Sequence, residues 1–269
     1  MRRFFLTAFI LLWLASYSFA NISVAGSLSH EKTAQPGTIY EGVIELNNPD
    51  KVSSEVKIYA TDYLFYADGR NIYGLPGTNP LSNAEWITLS EQRATVPPQN
   101  KVPVHYTVKV PQDQNLKGTY WSMVMIEPVK KAGISGTTPK KNRTTLGVSV
   151  QIRYGVQLIT NIGNTGARKI KFSNMKLFGD GKDKIFRFDV ENIGERGLSP
   201  SVTVQLYSAE GKSLGRYNGK TLRIFPGCSV RQEIILGNMP KGNYKALVIA
   251  DNGDEYVFGA QYDLKVGQK

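Results

Sequence analysis

Residues 146–158 read LGVSVQIRYGVQL, placing Leu146, Val148, Val150, Ile152, Tyr154, Val156 and Leu158 at every second position. Gly147, Ser149, Gln151, Arg153, Gly155 and Gln157 fill the alternate positions. A period of two belongs to a β-strand, whose successive side chains point to opposite faces of a sheet. The run is long for a strand, which averages about 5–6 residues. It predicts a strand that follows a sheet edge and continues into a connection to the next block.

Immediately upstream, residues 129–145 (VKKAGISGTTPKKNRTT) carry five basic groups, no acid and no periodicity, which predicts a mobile loop. Before it, Gly118 to Glu127 (GTYWSMVMIE) is apolar on both faces, with Tyr120, Val124 and Ile126 on one side and Trp121, Met123 and Met125 on the other. A strand of that kind needs a cover for its second face. A neighbouring loop or a second domain is the expected cover. Further upstream, Val102, Val104, Tyr106, Val108 and Val110 alternate with polar residues, and Val56 to Tyr66 closes on the hairpin signal Asp68-Gly69. Tyr40 to Asn47 and Trp86 to Leu89 add two more strands, with turn-rich sequence from Asn71 to Ala84.

Downstream, Asn161 to Ala167 (NIGNTGA) is rich in Gly and Asn and marks the expected domain boundary. A second block follows in the same style. Its strands are Ile170 to Phe178, Phe186 to Val190, Val202 to Leu206, Leu222 to Phe225, Cys228 to Leu236, Tyr244 to Ala250 and Tyr256 to Val266. Short strands with turns every 8–12 residues are the pattern of a sandwich. The expected fold is all-β, with two tandem immunoglobulin-like antiparallel β-sandwich domains covering 21–160 and 161–269. The first 20 residues have the basic start, apolar middle and small-residue end (Ser18, Ala20) of a secretory signal peptide. No later stretch has the ~20 apolar residues a membrane helix requires, so no membrane span is expected.

The formal net charge is +11. Residues 21–160 hold 14 basic and 11 acidic groups, and residues 161–269 hold 17 and 11. Lys-rich edge strands that discourage edge pairing account for much of such an excess, and an anionic partner is the other reading. Cys228 is the only cysteine, so no intrachain disulfide is possible and a bacterial envelope is the favoured compartment.

Catalytic chemistry is hard to assemble from these residues. His30 lies in an N-terminal segment expected to be loosely held, and His105 is on the polar side of its strand, so neither has a local metal-ligand partner. Cys228 reads as a small buried hydrophobe. The turn Asp251-Asn252-Gly253-Asp254-Glu255 is too short for an EF-hand loop. Asp62, Asp68, Glu85 and Glu91 form no recognisable acid–base pair, and the basic loop lacks the interleaved aromatics of a nucleic-acid site. The expectation is a protein without enzymatic activity, cofactor, metal or nucleic-acid partner.

The first block resembles the N-terminal domain of the periplasmic chaperones of the chaperone–usher pilus pathway. The resemblance rests on Gly37-x-x-Tyr40 leading into a strand that ends Leu46-x-Asn48-Pro49, on Pro97-Pro98, on the Tyr120-x-Ser122 strand, and on the long basic loop before the 146–158 alternation. It implies that this strand lends its side chains to a pilus subunit by strand addition. The implied partner-binding residues are Leu146, Val148, Val150, Ile152, Arg153, Tyr154 and Val156. In that family an Arg of the first strand and a Lys near the end of the donor strand hold the subunit's terminal carboxylate. Here the first-strand region has His30 and Lys32, and the donor strand has Arg153, with Gln157 between Val156 and Leu158. The expected function is that of an exported chaperone-like or accessory protein, located in the periplasm. Its partner would be an exported client such as a pilus-like subunit or a surface protein. The alternative is a secreted or cell-surface structural or adhesive module that binds glycan or matrix through exposed aromatics such as Trp86 and Trp121.

Overall fold

The computed structural model describes residues 22–129, 152–179 and 183–267. The first ten strands are β1 Ser23–Ala25, β2 Ser29–Ala34, β3 Ile39–Asn48, β4 Ser54–Phe65, β5 Asn71–Gly74, β6 Ile87–Leu89, β7 Arg93–Val96, β8 Asn100–Lys109, β9 Gly118–Pro128 and β10 Tyr154–Ile162. They build two sheets, ordered β1-β3-β8-β6 and β2-β10-β9-β4-β5, with β7 also paired to β4. The other seven are β11 Ile170–Phe178, β12 Lys184–Asn192, β13 Ser201–Ser208, β14 Ser213–Asn218, β15 Ser229–Gly237, β16 Gly242–Asp251 and β17 Val257–Val266. They form sheets ordered β11-β12-β15 and β14-β13-β16-β17. The fold is all-β, with two tandem immunoglobulin-like sandwiches. Among the described residues no helix is long and apolar enough to cross a membrane.

The alternating residues form the cores, as the two-residue period requires. Val104, Tyr106 and Val108 of β8 pack with Ile44, Leu46, Val56, Ile58, Val124, Ile126, Val156 and Leu158 in the first sandwich. Phe186, Phe188 and Val190 of β12 pack with Val202, Val204, Leu206, Ala246 and Val248 in the second. The Asp68-Gly69 signal marks the β4–β5 hairpin, with Gly69 at φ +90 and Phe65 paired to Asn71.

On the second apolar face of β9, Trp121 is covered from the C-terminal half. Trp121 is fully buried, and its ring stacks on Phe225 with centroids 4.7 Å apart and planes 11° apart. Its indole N–H donates to the Tyr63 carbonyl at 2.7 Å. Trp121 and Ile159 belong to the same apolar cluster as the core of the second sandwich, so packing is continuous across the junction.

Four features depart from the sequence reading. The N-terminal segment is not loose: it forms β1 on one sheet and β2 on the other, after a crossing at Gly26. The β2–β10 pair is parallel, an exception to the antiparallel pattern. Leu222 to Phe225 is no strand beyond an isolated bridge from Ile224 to Leu198, while Ser213–Asn218 is one. The strand expected over 146–158 is described from Tyr154 and continues to Ile162. Leu146, Val148, Val150 and most of the basic loop lie outside the described residues.

Candidate functional site

β10 lies between two neighbours for most of its length. It pairs with β9 from Tyr154 to Ile162, and with β2 only from Gln157 to Ile162. In a strand the N–H and C=O of one residue point to the same side, and the side alternates along the chain. The Gln157 N–H donates to the Leu28 carbonyl, and the Gly163 N–H to the Ala34 carbonyl, each at 2.9 Å. Odd-numbered residues of β10 therefore face β2, and even-numbered ones face β9. Gly155 is odd and lies upstream of the first β2 pairing, Gln157 with Ser29, so its backbone N–H and C=O point outward, beyond the start of β2.

The side chains around this open edge divide sharply. Val156 and Leu158 are buried in the core of their own sandwich, at 0% and 1% exposure. Tyr154 is partly buried against that core. Ile152 shares their alternation but precedes the strand, and it is 47% exposed. Arg153 is exposed, with its guanidinium carbon 5.4 Å from the ring centroid of Tyr73 on β5. Of the seven residues expected to bind a partner, Ile152, Arg153, Tyr154 and Val156 are thus brought together at the start of β10. The burial of Val156 leaves backbone, rather than that side chain, to face a partner.

Gly155 leaves room for a neighbouring side chain. A Cβ built on it would run into the Met123 sulfur on the neighbouring β9. Gly155→Ala should cost about 1–3 kcal/mol, the usual penalty for overpacking, and should cost clearly less when measured against a Met123→Ala background, where that sulfur is absent. Urea unfolding in both backgrounds checks this, and an unchanged midpoint for Gly155→Ala alone would show that Met123 moves aside freely.

β2 completes the site on its far side. The phenol oxygen of Tyr106 lies 2.9 Å from His30 Nδ1. Burial pushes the Tyr106 hydroxyl up to about 12, so it keeps its proton at neutral pH and can donate. Glu31 accepts from Asn161 Nδ2 at 2.6 Å and from Arg223 Nη2 at 2.9 Å. Arg223 also donates to Ser29 Oγ at 2.7 Å. A half-exposed ion pair of this kind contributes at most about 1 kcal/mol, but it ties β2 to the C-terminal half. His30 is therefore a strand residue. Periodicity could not identify it, because SHEKTA has no apolar alternation to read.

Groups considered for catalysis have structural roles. Asp62, 2% exposed, accepts from the Gly77 and Asn79 N–H groups and from the Thr78 and Ser82 hydroxyls, organising the turn-rich segment after β5. Cys228 is fully buried, and burial raises its thiol to about 11. The aromatics proposed for an adhesive surface are not free. Trp121 is enclosed, and Trp86 is half-buried with its ring centroid 4.6 Å from that of Tyr120. Trp121 is thereby removed from the aromatics named for the adhesive alternative, and Trp86 keeps only part of its surface accessible.

No family model matches the chain, and no curated protein matches it. Among solved structures it is similar to the class 5 fimbriae chaperone CfaA, at 13% identity over 92% of this chain and 100% of that one, with a TM-score of 0.49. It is also similar to the E. coli chaperone DraB, at 12% identity over 91% and 96%, with a TM-score of 0.42. A chain of the CsuC–CsuE chaperone–tip adhesion subunit pre-assembly complex of Acinetobacter baumannii is similar at 13% identity over 79% and 89%, with a TM-score of 0.43.

Proposed function

We propose that this chain is an exported, non-catalytic binding protein of the periplasm that holds another exported polypeptide by β-strand addition at the start of β10. The client would be a pilus-like subunit or a surface protein with an unpaired strand of its own. The observation that carries the proposal is the outward-facing backbone of Gly155 beyond the start of β2. Among the described residues no strand pairs with these groups, and an N–H and C=O left so at a sheet edge are a template for an incoming strand. Exposed Ile152 and Leu28, 47% and 46% accessible, flank that edge and supply apolar contact. The basic, apolar and small-residue pattern of residues 1–20 supports export.

The test places a photo-crosslinking amino acid at Ile152 in the full chain, expressed in its own envelope. A control carries the same group at Val43, 44% exposed on β3 in the other sheet. The expected result is an adduct from position 152 and none from position 43, with the crosslinked peptide mapping to one alternating apolar segment of one exported polypeptide. Equal labelling from both positions, or labelling of glycan alone, would discard strand addition.

A further inference from the structure

We infer that the partner-strand site on β10 continues beneath β2, and that β2 is a detachable strand covering its second half. This rests on the strand-addition reading above and extends it to a specific kind of partner: an extended polypeptide long enough to run past Gly155 and replace β2 along Gln157, Ile159 and Asn161.

β2 is poorly anchored by packing. Its sequence is Ser-His-Glu-Lys-Thr-Ala, and Ala34 is its only buried side chain, while Glu31, Lys32 and Thr33 are exposed. Apolar burial, the main force holding strands to a sandwich, is therefore nearly absent from this one. What remains is the parallel ladder to β10 and three polar ties: His30 to Tyr106, Glu31 to Asn161, and Arg223 to Ser29 and Glu31. An edge strand held in this way belongs to the low-stability end of a protein and opens locally, without the core. The other side of β10 is different. Its even-numbered residues face β9, and both Trp121 and Val124 of β9 are fully buried. The same strand thus carries one permanent neighbour and one replaceable neighbour, and the open edge at Gly155 runs continuously into the replaceable part.

Arg223 sets how easily that happens. It comes from the C-terminal half and grips β2 at Ser29 and Glu31, next to the point where the open edge begins. An incoming strand must break that grip to advance.

Native-state hydrogen exchange on the full chain reads the two sides of β10 separately. The Ile159 and Asn161 amides face β2, and those of Leu158 and Thr160 face β9. The first pair should exchange at least tenfold faster than the second. Arg223→Gln should accelerate the first pair about a further tenfold and leave the second unchanged. Ser29 and Gln157 are directly paired, so Ser29→Cys with Gln157→Cys allows a disulfide lock, with the reduced form of the same protein as its control. Oxidation should remove the difference between the pairs and cut the Ile152 crosslink about tenfold, and reduction should restore both. If all four amides exchange at one rate, β2 opens only with the whole sheet and the inference is overturned. Equal crosslinking in oxidised and reduced protein would overturn the extension alone, whereas no crosslink in the reduced protein would overturn strand capture itself.

Discussion

Phe225→Ala should destabilise the full chain by about 3–5 kcal/mol, the range for removing a buried aromatic side chain. Phe225 is 1% exposed and meets residues from both halves. It stacks on Trp121 of β9 and presents an edge to Phe65 of β4 at 6.1 Å. Ring pairs of this kind add about 0.5–1.5 kcal/mol beyond the area they bury. For a chain of this size each kcal/mol lowers the melting temperature by about 2–4 °C, so calorimetry resolves the effect easily. Phe225→Leu keeps much of the volume and should cost clearly less. A loss below about 1 kcal/mol for the alanine variant would mean that the junction contributes little packing energy. The same contact bears on the proposed division at 21–160 and 161–269. Separating the halves there would expose Trp121 on one piece and Phe225 on the other.

Val156→Asp should be at least as damaging, with a loss above about 4 kcal/mol and collapse of the first sandwich. Its side chain is fully buried among Ile44, Val104, Val124 and Leu158. A carboxylate there has no partner, and an unpaired charge in such a site is among the costliest substitutions. Ile152→Asp is the matched control. The two residues share one alternation in the sequence, yet Ile152 is 47% exposed, so its variant should stay within about 0.5 kcal/mol of the parent. Circular dichroism and urea unfolding of the pair separate a folding role from a contact role. Similar losses at both positions would place Ile152 in the core and invalidate the geometry of the open edge.

Much of this molecule is written locally in its residues. Val104, Tyr106 and Val108 face the core because the side-chain period of a strand is two, and nothing distant is needed to see it. The Asp68-Gly69 hairpin follows from turn chemistry, since Gly69 supplies the positive φ its turn adopts. Trp121, Met123 and Met125 announced that β9 needs a cover on its second face, because a bare apolar face in water is unfavourable. Cys228 read as a buried residue for want of any activating neighbour.

The identity of the cover was not legible. Phe225 is one aromatic among many, more than a hundred residues from Trp121, and only the packing of the two sandwiches brings the rings together. β2 was invisible for a different reason. Its hydrogen bonds join backbone groups, which every residue other than proline carries alike, so pairing with β10 leaves no trace in the side-chain pattern. The same holds for the edge at Gly155. The alternation from Leu146 to Leu158 predicted a strand, and over the described part, from Tyr154 onward, it gave which side chains share a face. Where β2 begins, and therefore which backbone groups stay open, was decided by tertiary structure, because a free edge is defined by the absence of a neighbour and the sequence of one strand does not record its neighbours.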